Sequence, residues 1–504
     1  MLFHNIALIQ AVIVACTVGD SYAQSTSTFQ WPNAQLSYAD LQLYEGDLSI
    51  FTDGCPMRGD SSTIPAQWLR LAYHDMSTHS VDDGTGGLDS SIQYELDMPQ
   101  NIGEGMALSL NDFLSIGIVG PILGLADVMA MGVVFAVVGC GGPIIPYRAG
   151  RIDASTAGPG SVPQPQEDLA TQTEKFKQMG FNATEMIMLV ACGHTLGGVR
   201  QVDFPLIVTD VEDAFQNFDT TPQAYDNTIV SQFLQNTTQD VLSIGPNVTT
   251  RSDFRIFSSD GNVTMQSLLD PDTYIQTCGA LLERMIDTVP SDMTLTEAIS
   301  EPFDYLISDP STVINPTEGA TLTMFWVDRE GSFCPSTGCS VESSGTEEVS
   351  FTTLANIQGF TAERYMFNTT INTTTSISKF WFEINNSGSD PITVDNGGGG
   401  FVIDQDSLFL DMRRSQTIIG SFPEFLRLVV AVRGDATSTA SMTIFNPKGN
   451  ATAPPFIPVI TVIDLVLDEA NPPDGNVTTM GNATTVTGFV DFSATSGGTT
   501  YTLP

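Results

Sequence analysis

The sequence predicts a chain in two parts, a mainly α-helical portion followed by a β-sandwich-like portion. Three observations carry this reading. Its 504 residues are enough for more than one domain. Up to about Pro310, apolar residues recur at helical spacing between loops rich in Gly, Pro and Asp. After about Thr317 the period changes to two.

In chain order, Ile6 to Val18 is a short apolar run followed by Ser21-Tyr22-Ala23, whose small residues suit a secretory cleavage before Gln24. Residues 1–23 are therefore expected to be a signal peptide, 24–312 the helical domain and 313–504 the β-rich one. Helices are expected at Ala66 to Met76, Val128 to Gly139, Asp168 to Met179, Thr184 to Cys192, Thr228 to Leu234 and Gln276 to Thr288. The most apolar stretch, Leu114 to Cys140, is interrupted by Pro121, Asp127 and glycines. Its continuous part, from Val128 to Gly139, falls well short of the ~20 residues a spanning helix needs. It reads as a buried helix capped by Asp127.

In the second half, Phe380, Phe382 and Ile384 alternate with Lys379, Trp381 and Glu383. Leu426, Leu428, Val430 and Val432 make another alternating row, and Val459 to Leu467 is a β-branched run. No catalytic constellation stands out there. Trp326 or Trp381 could bind polysaccharide, or the strands could simply cover the helical domain. The second reading is preferred, because an aromatic on a strand is usually core.

The net charge of −40 excludes nucleic acid as a partner, since phosphate binding needs clustered Lys and Arg, and suits a soluble extracellular protein. Ten Asn-X-Ser/Thr sequons (Asn182, Asn236, Asn247, Asn262, Asn368, Asn372, Asn385, Asn450, Asn476 and Asn482) agree with export and predict N-glycans. Without Cys16 of the leader, six cysteines remain: Cys55, Cys140, Cys192, Cys278, Cys334 and Cys339. An even number in an exported chain suggests disulfides, but only Cys334 and Cys339 form an obvious local pair.

Once His4 leaves with the leader, three histidines remain: His74, His79 and His194. On a helix, Arg70 and His74 project from one face. Heterolysis of hydrogen peroxide needs this combination: a neutral imidazole to move a proton between the oxygens, and a permanent cation to stabilise the charge that develops. His194 ends an apolar segment and is flanked by Gly193, Gly197 and Gly198, which let a flat ligand come close. Each of these two, taken alone, reads more simply as an ordinary helix or core histidine. Two loops offer hard oxygen ligands suited to calcium. One contains Asp75, the carbonyl of Gly87, Asp89 and Ser91. The other contains Asp219, Thr221, Ala224 and Asp226, with Thr195 beside His194. In a chain with 58 acidic residues, solvated loop carboxylates are the plain alternative.

These motifs, in this order, resemble the plant, fungal and bacterial haem peroxidase superfamily, most closely its secreted fungal branch that includes the ligninolytic enzymes. The resemblance runs from about residue 30 to residue 300. It implies haem b with His194 as the axial iron ligand, His74, Arg70 and Asn101 as the catalytic distal residues, and two calcium ions on the loops above. Glu95 stands where the partner of Asn101 is expected, and Asp260 where the acceptor of the proximal imidazole proton is expected. Phe218 resembles the aromatic packed under the haem. Ile145 to Asp153 resembles the haem-edge segment, closer in wording to the intracellular peroxidases. Cys55 and Cys140 fall near a disulfide of the fungal enzymes, whereas Cys192 and Cys278 have no settled partner.

The departures narrow the donor. Tyr73 replaces the usual distal Phe or Trp. Thr63, Gln67 and Arg200 occupy positions that are acidic in manganese-oxidising relatives, and Leu189 replaces the surface tryptophan of lignin peroxidases. The β-rich half has no counterpart in those enzymes. The expected activity is oxidation of small phenols or aromatic amines by hydrogen peroxide, outside the cell and away from membranes. Two alternatives compete with it. One is a secreted haem-binding or structural protein with little turnover, and the other a thiolate-ligated peroxygenase using Cys55-Pro56.

Overall fold

A computed structural model describes residues 7–9 and 33–503, except 60–61, 121, 210–213, 304–305, 309–310, 315–320, 330, 332, 337, 372–375, 387–389, 404–406, 411–414, 419–424, 435–436, 449–456, 470–476 and 486–488. Most of the expected leader lies outside the described residues. Its Ala7–Ile9 pairs antiparallel with residues 369–371.

Twelve helices occur among the described residues, besides short 3-10 turns. They are α1 (Ala34–Tyr44), α2 (Ile64–Met76), α3 (Glu104–Ser115), α4 (Leu125–Gly139), α5 (Leu169–Gln178), α6 (Ala183–Gly193), α7 (Thr228–Leu234), α8 (Val241–Ile244), α9 (Ser252–Phe257), α10 (Val263–Ser267), α11 (Pro271–Ile286) and α12 (Thr353–Gln358). Helix α4 is the centre of the helical half: every residue from Leu125 to Val138 is buried. A helix apolar on all sides has to be surrounded by others. Helix α2 crosses it where Gly132 leaves room, since a Cβ there would lie 2.5 Å from the Phe113 ring and 3.3 Å from that of Trp68.

The N-terminus of α4 corrects one expectation. The helix starts at Leu125, and its first amides donate to Asp153, from Leu125 N and Ala126 N at 2.8 Å each. Asp127 lies inside the first turn, and its carboxylate takes Gly150 N, Arg151 N and Arg151 Nη1 at 3.0–3.1 Å. An acceptor some 28 residues away in sequence fills the capping role that a local reading gave to Asp127. Arg151 also donates to the carbonyl of Ile286, joining the end of α11 to the start of α4.

Helices α1 and α3 were not expected from periodicity, and α11 begins at Pro271, five residues before the expected Gln276, capped by Asp270. Disulfides join Cys55 to Cys140 and Cys334 to Cys339, and the previously unassigned Cys192 and Cys278 pair to tie α6 to α11. The bond at Cys55 removes the thiolate-ligand reading of Cys55-Pro56.

From Leu306 onward the chain is β-rich, with several sheets rather than one unit. In one sheet Thr321–Val327 lies between Lys379–Asn385 and Cys339–Glu342, with Phe382 opposite Met324. Phe380, Phe382 and Ile384 point into its core, as their alternation predicts. A second core is filled from two further sheets, one built on Phe425–Arg433 and the other on Thr439–Lys448. Trp326 is buried, and Trp381 stacks on Phe325 with ring centroids 5.6 Å apart.

Helix α12 belongs by its packing to the other half. Leu354, Ala355 and Phe360 are part of the core of the helical domain, and Thr352 donates to the carbonyls of Leu43 (2.7 Å) and Tyr44 (2.9 Å) at the end of α1. Arg364 pairs with Glu45, and Gln358 donates to the carbonyl of Ser300. No helix among the described residues is long and apolar enough to cross a membrane.

Candidate functional site

A cavity lies between α2 and α6, lined by both histidines singled out in the sequence. Thr63 caps α2 by accepting from Ala66 N (3.3 Å), and Pro65 sits in its first turn, where its missing N–H costs nothing. The helix then carries Arg70, Tyr73 and His74 to the cavity wall.

His74 is held by a relay. Its Nδ1 lies 2.8 Å from Asn101 Oδ1, and Asn101 Nδ2 donates to the Glu95 carbonyl (3.1 Å) and carboxylate (3.3 Å). Glu95 in turn accepts from Gly158 N at 2.7 Å. Because the Glu95 oxygens only accept, Asn101 turns its amide nitrogen to them and its oxygen to His74. The Nδ1 therefore carries the proton, and Nε2 is the basic nitrogen. Burial, then the charge of Arg70, lowers His74 to about 3, so the ring stays neutral. Arg70 donates from Nη2 to the Ile102 carbonyl (2.8 Å) and lies over the Phe204 ring, 5.6 Å from its centroid. Burial lowers its pKa to about 10, which still leaves it a cation.

His194 follows the last residue of α6, and its own N–H donates to the Val190 carbonyl. Its Nδ1 lies 2.6 Å from Asp253 Oδ2. The expected partner, Asp260, is elsewhere: it is exposed and caps α10 by accepting from Thr264 N (2.9 Å) and the Thr264 hydroxyl. Asp253 is buried, and its other oxygen accepts from the Ser252 hydroxyl at 3.0 Å. Both acids follow a serine in the same short stretch, Asp253 in the first turn of α9 and Asp260 just past its end, so sequence order alone does not choose. Burial opposes charge on His194, but Asp253 more than offsets it and holds the ring's proton affinity above the ordinary value. Phe218 stacks on His194, with centroids 4.3 Å apart and an interplanar angle of 11°. A second buried carboxylate went unnoticed in the sequence. Asp240 caps α8 through Leu242 N (2.9 Å) and the Ser243 hydroxyl (2.6 Å), and burial beside Asp253 pushes it up to about 8.

The residues present fit a haem. Each histidine has its Nδ1 tied to a partner, leaving Nε2 free toward the cavity. A Cβ built on Gly193 would meet nothing within 4 Å, so the space beside His194 is open. Leu189, Leu196 and Phe215 supply apolar walls, and Tyr73 lines the same space, 6.0 Å from His74 between ring centroids. Leu189 is a buried wall residue, not a surface position.

The two loops expected to bind calcium differ. Asp75, Gly87, Asp89 and Ser91 do come together, but Asp75 is already saturated. It accepts from Asp89 N (2.9 Å), Ser90 N (2.7 Å), Ile92 N (2.8 Å) and the Ser91 hydroxyl (3.4 Å). Asp89 accepts from Ser91 N at 3.1 Å, and the carbonyl of Gly87 is engaged by Asp89 N. Converging N–H groups suit the carboxylate itself, not a cation, so this loop does not fit calcium as arranged. The second loop does. Thr221 Oγ1 lies 3.3 Å from Asp219 and 3.2 Å from Asp226, Thr195 Oγ1 is 2.6 Å from the Asp226 carbonyl, and Ala224 closes the turn onto the Thr221 carbonyl. Asp219 Oδ2 is buried without a hydrogen-bond partner, and burial, helped by Asp226, raises this carboxyl to about 6. Among the described residues no group of three or more His, Cys, Asp or Glu side chains is gathered for a metal. Of the positions compared for manganese, Thr63 is a helix cap, Gln67 bonds Ser62 and Arg58, and Arg200 pairs with Glu104 at 3.1 Å.

Residues 32–273 match the family described as Peroxidase. Over 249 residues the chain is 38% identical to a WSC domain-containing protein of Arthroderma benhamiae, which covers 48% of this chain and 34% of that one. It is 36% identical over 131 residues to the peroxisomal L-ascorbate peroxidase 5 of Arabidopsis thaliana, covering 26% of this chain and 46% of the relative. With a mitochondrial cytochrome c peroxidase of Cryptococcus neoformans it shares 30% identity over 142 residues, 27% of this chain and 37% of the relative. The chain thus spans less than half the length of each of these relatives.

Proposed function

We propose, from the premise that residues 32–273 form a peroxidase-family domain, that this protein is a haem b peroxidase that uses hydrogen peroxide to oxidise small phenolic or aromatic donors in one-electron steps. Haem, when bound, would supply the two-electron reduction of peroxide, and His194 Nε2 would hold its iron. The protein residues do the rest. His74 Nε2 takes a proton from one peroxide oxygen and returns it to the other, while Asn101 and Glu95 keep the imidazole in the tautomer that permits this. Arg70 stabilises the negative charge on the leaving oxygen. Asp253 orients the His194 ring and makes it a stronger donor to iron.

The observation that carries the reading is the Glu95–Asn101–His74 relay beside Arg70. Holding a haem needs only His194 and apolar walls, so a passive haem-binding protein has no use for a basic nitrogen and a cation on the opposite side. We further assign the protein to the secreted fungal type, with residues 1–23 as a leader and N-glycans on the sequons. Asn236 and Asn368 are exposed, and Asn247 is half-buried. One calcium ion is assigned to Thr195, Asp219, Thr221, Ala224 and Asp226.

An optical spectrum of the purified protein before and after one equivalent of peroxide tests the function. A haem band that shifts with peroxide and is restored by a phenol is expected, and a band indifferent to peroxide would refute the enzyme reading. Manganese(II) and non-phenolic aromatic ethers are expected to be poor donors, because Thr63, Gln67 and Arg200 bring no carboxylates and Leu189 cannot carry a radical. Steady-state assays with the three donor types check this.

A further inference from the structure

Arg70 owes its position to more than the helix that carries it. Besides the Ile102 carbonyl, its neighbours are Gly103, Phe204 and Asp203. A Cβ on Gly103 would stand 3.3 Å from Arg70 Nη1 and 3.5 Å from Asp203 Oδ2, so the guanidinium and the carboxylate approach the same point from two sides. The left-handed φ of +117° already reserves that position for glycine. Asp203 comes from the segment after His194, the same segment that supplies Phe204, and its side chain is 19% exposed. The same Asp203 oxygen lies 3.5 Å from Arg200 Nε, and Arg200 continues to Glu104. A row of alternating charges, Arg70, Asp203, Arg200 and Glu104, therefore runs from the cavity toward the surface.

We propose that Asp203 is a positioning residue for Arg70: a carboxylate from the His194 side of the cavity that attracts the distal cation across Gly103, without a direct ion pair, and moderates the positive field it presents to an anion in the cavity. Two consequences follow from electrostatics. A desolvated guanidinium keeps its proton more firmly beside a carboxylate, in line with the opposing effect of Asp203 on the burial-lowered Arg70. An anion entering the cavity also meets less net positive charge than Arg70 alone would give it.

The inference rests on the haem peroxidase reading, and its test separates the two. The probe is fluoride, titrated optically into the ferric haem-loaded protein, with Asp203→Asn, Asp203→Glu, Arg70→Leu and the Asp203→Asn/Arg70→Leu double variant compared. Asp203→Asn is expected to bind fluoride roughly tenfold more tightly. Asp203→Glu is expected to return toward the parent, and Asp203→Asn in the Arg70→Leu background to change affinity less than about twofold. An unchanged or weakened affinity in Asp203→Asn, or the same gain with Arg70 absent, would overturn the proposal. Urea unfolding of the same variants gives a readout that does not require haem. There the two substitutions are expected to be non-additive, and additivity would sink the coupling of Asp203 to Arg70. Failure to take up haem alongside non-additive unfolding would count against the peroxidase reading alone.

Discussion

His74 and His194 have the same ring and opposite proton affinities, and their neighbours make the difference. An amide oxygen behind His74 fixes its tautomer without adding charge, so burial and Arg70 keep it neutral. A carboxylate behind His194 raises its proton affinity and suits a metal ligand. Asp253→Asn should therefore weaken haem binding or turnover by roughly 10–100-fold. Asp260→Ala should cost only about 1 kcal/mol of local helix-cap stability. Haem titration and thermal unfolding of both variants distinguish the two acids. His74→Leu should keep haem yet lose at least ~10²–10⁴-fold in its reaction with peroxide, as stopped flow would measure. Because the base works in its unprotonated form, the parent rate should hold as pH falls and decline only toward about pH 3.

At the scale of elements, ion pairs join segments that helix packing alone would leave apart. Arg151 and Asp127 are buried together at 3.0 Å, and Arg151 also reaches the last turn of α11. Removing one partner strands the other's charge, so Arg151→Met should destabilise the helical domain by about 3–5 kcal/mol in urea unfolding. The loop from Asp219 to Asp226 poses a similar problem that a cation would solve. Asp219 has a folded-state pKa raised above its ordinary value, so the calcium-free fold binds more protons there than the unfolded chain does. Its stability consequently falls as pH rises from about 4 through about 6. Added calcium should stabilise little at pH 4 and progressively more as pH passes 6. Melting temperatures with calcium and with chelator at the two pH values check this, and equal shifts at both would remove the calcium assignment.

Across the whole molecule, the two halves are joined through a piece of the second half that folds as part of the first. Phe360 and Leu354 sit in the helical core, whereas Phe382 is fully buried in a separate β core. Phe360→Ala should lower the unfolding temperature followed by haem absorbance, with a cost of about 3–5 kcal/mol. Phe382→Ala should leave that transition in place and lower only the unfolding of the β-rich part, seen by circular dichroism. A common shift for both would mean that the halves unfold as one unit.

The sequence by itself determined the helical and β-rich halves, the Arg70–His74 face and His194, while the Asn101–Glu95 relay was expected only through the family resemblance. The halves, the face and His194 are written in local periodicity or in short motifs whose spacing the backbone preserves. Tertiary structure alone decided which acid meets His194, since Asp253 and Asp260 offer the same chemistry and only the packing of α9 against α6 brings one of them to the ring. It likewise decided that Asp153 caps α4, that Cys192 finds Cys278, that Asp75 spends its oxygens on its own loop and that α12 joins the helical core. In all of these the partners are chemically interchangeable along the chain, and what selects among them is distance in space, which sequence spacing does not encode.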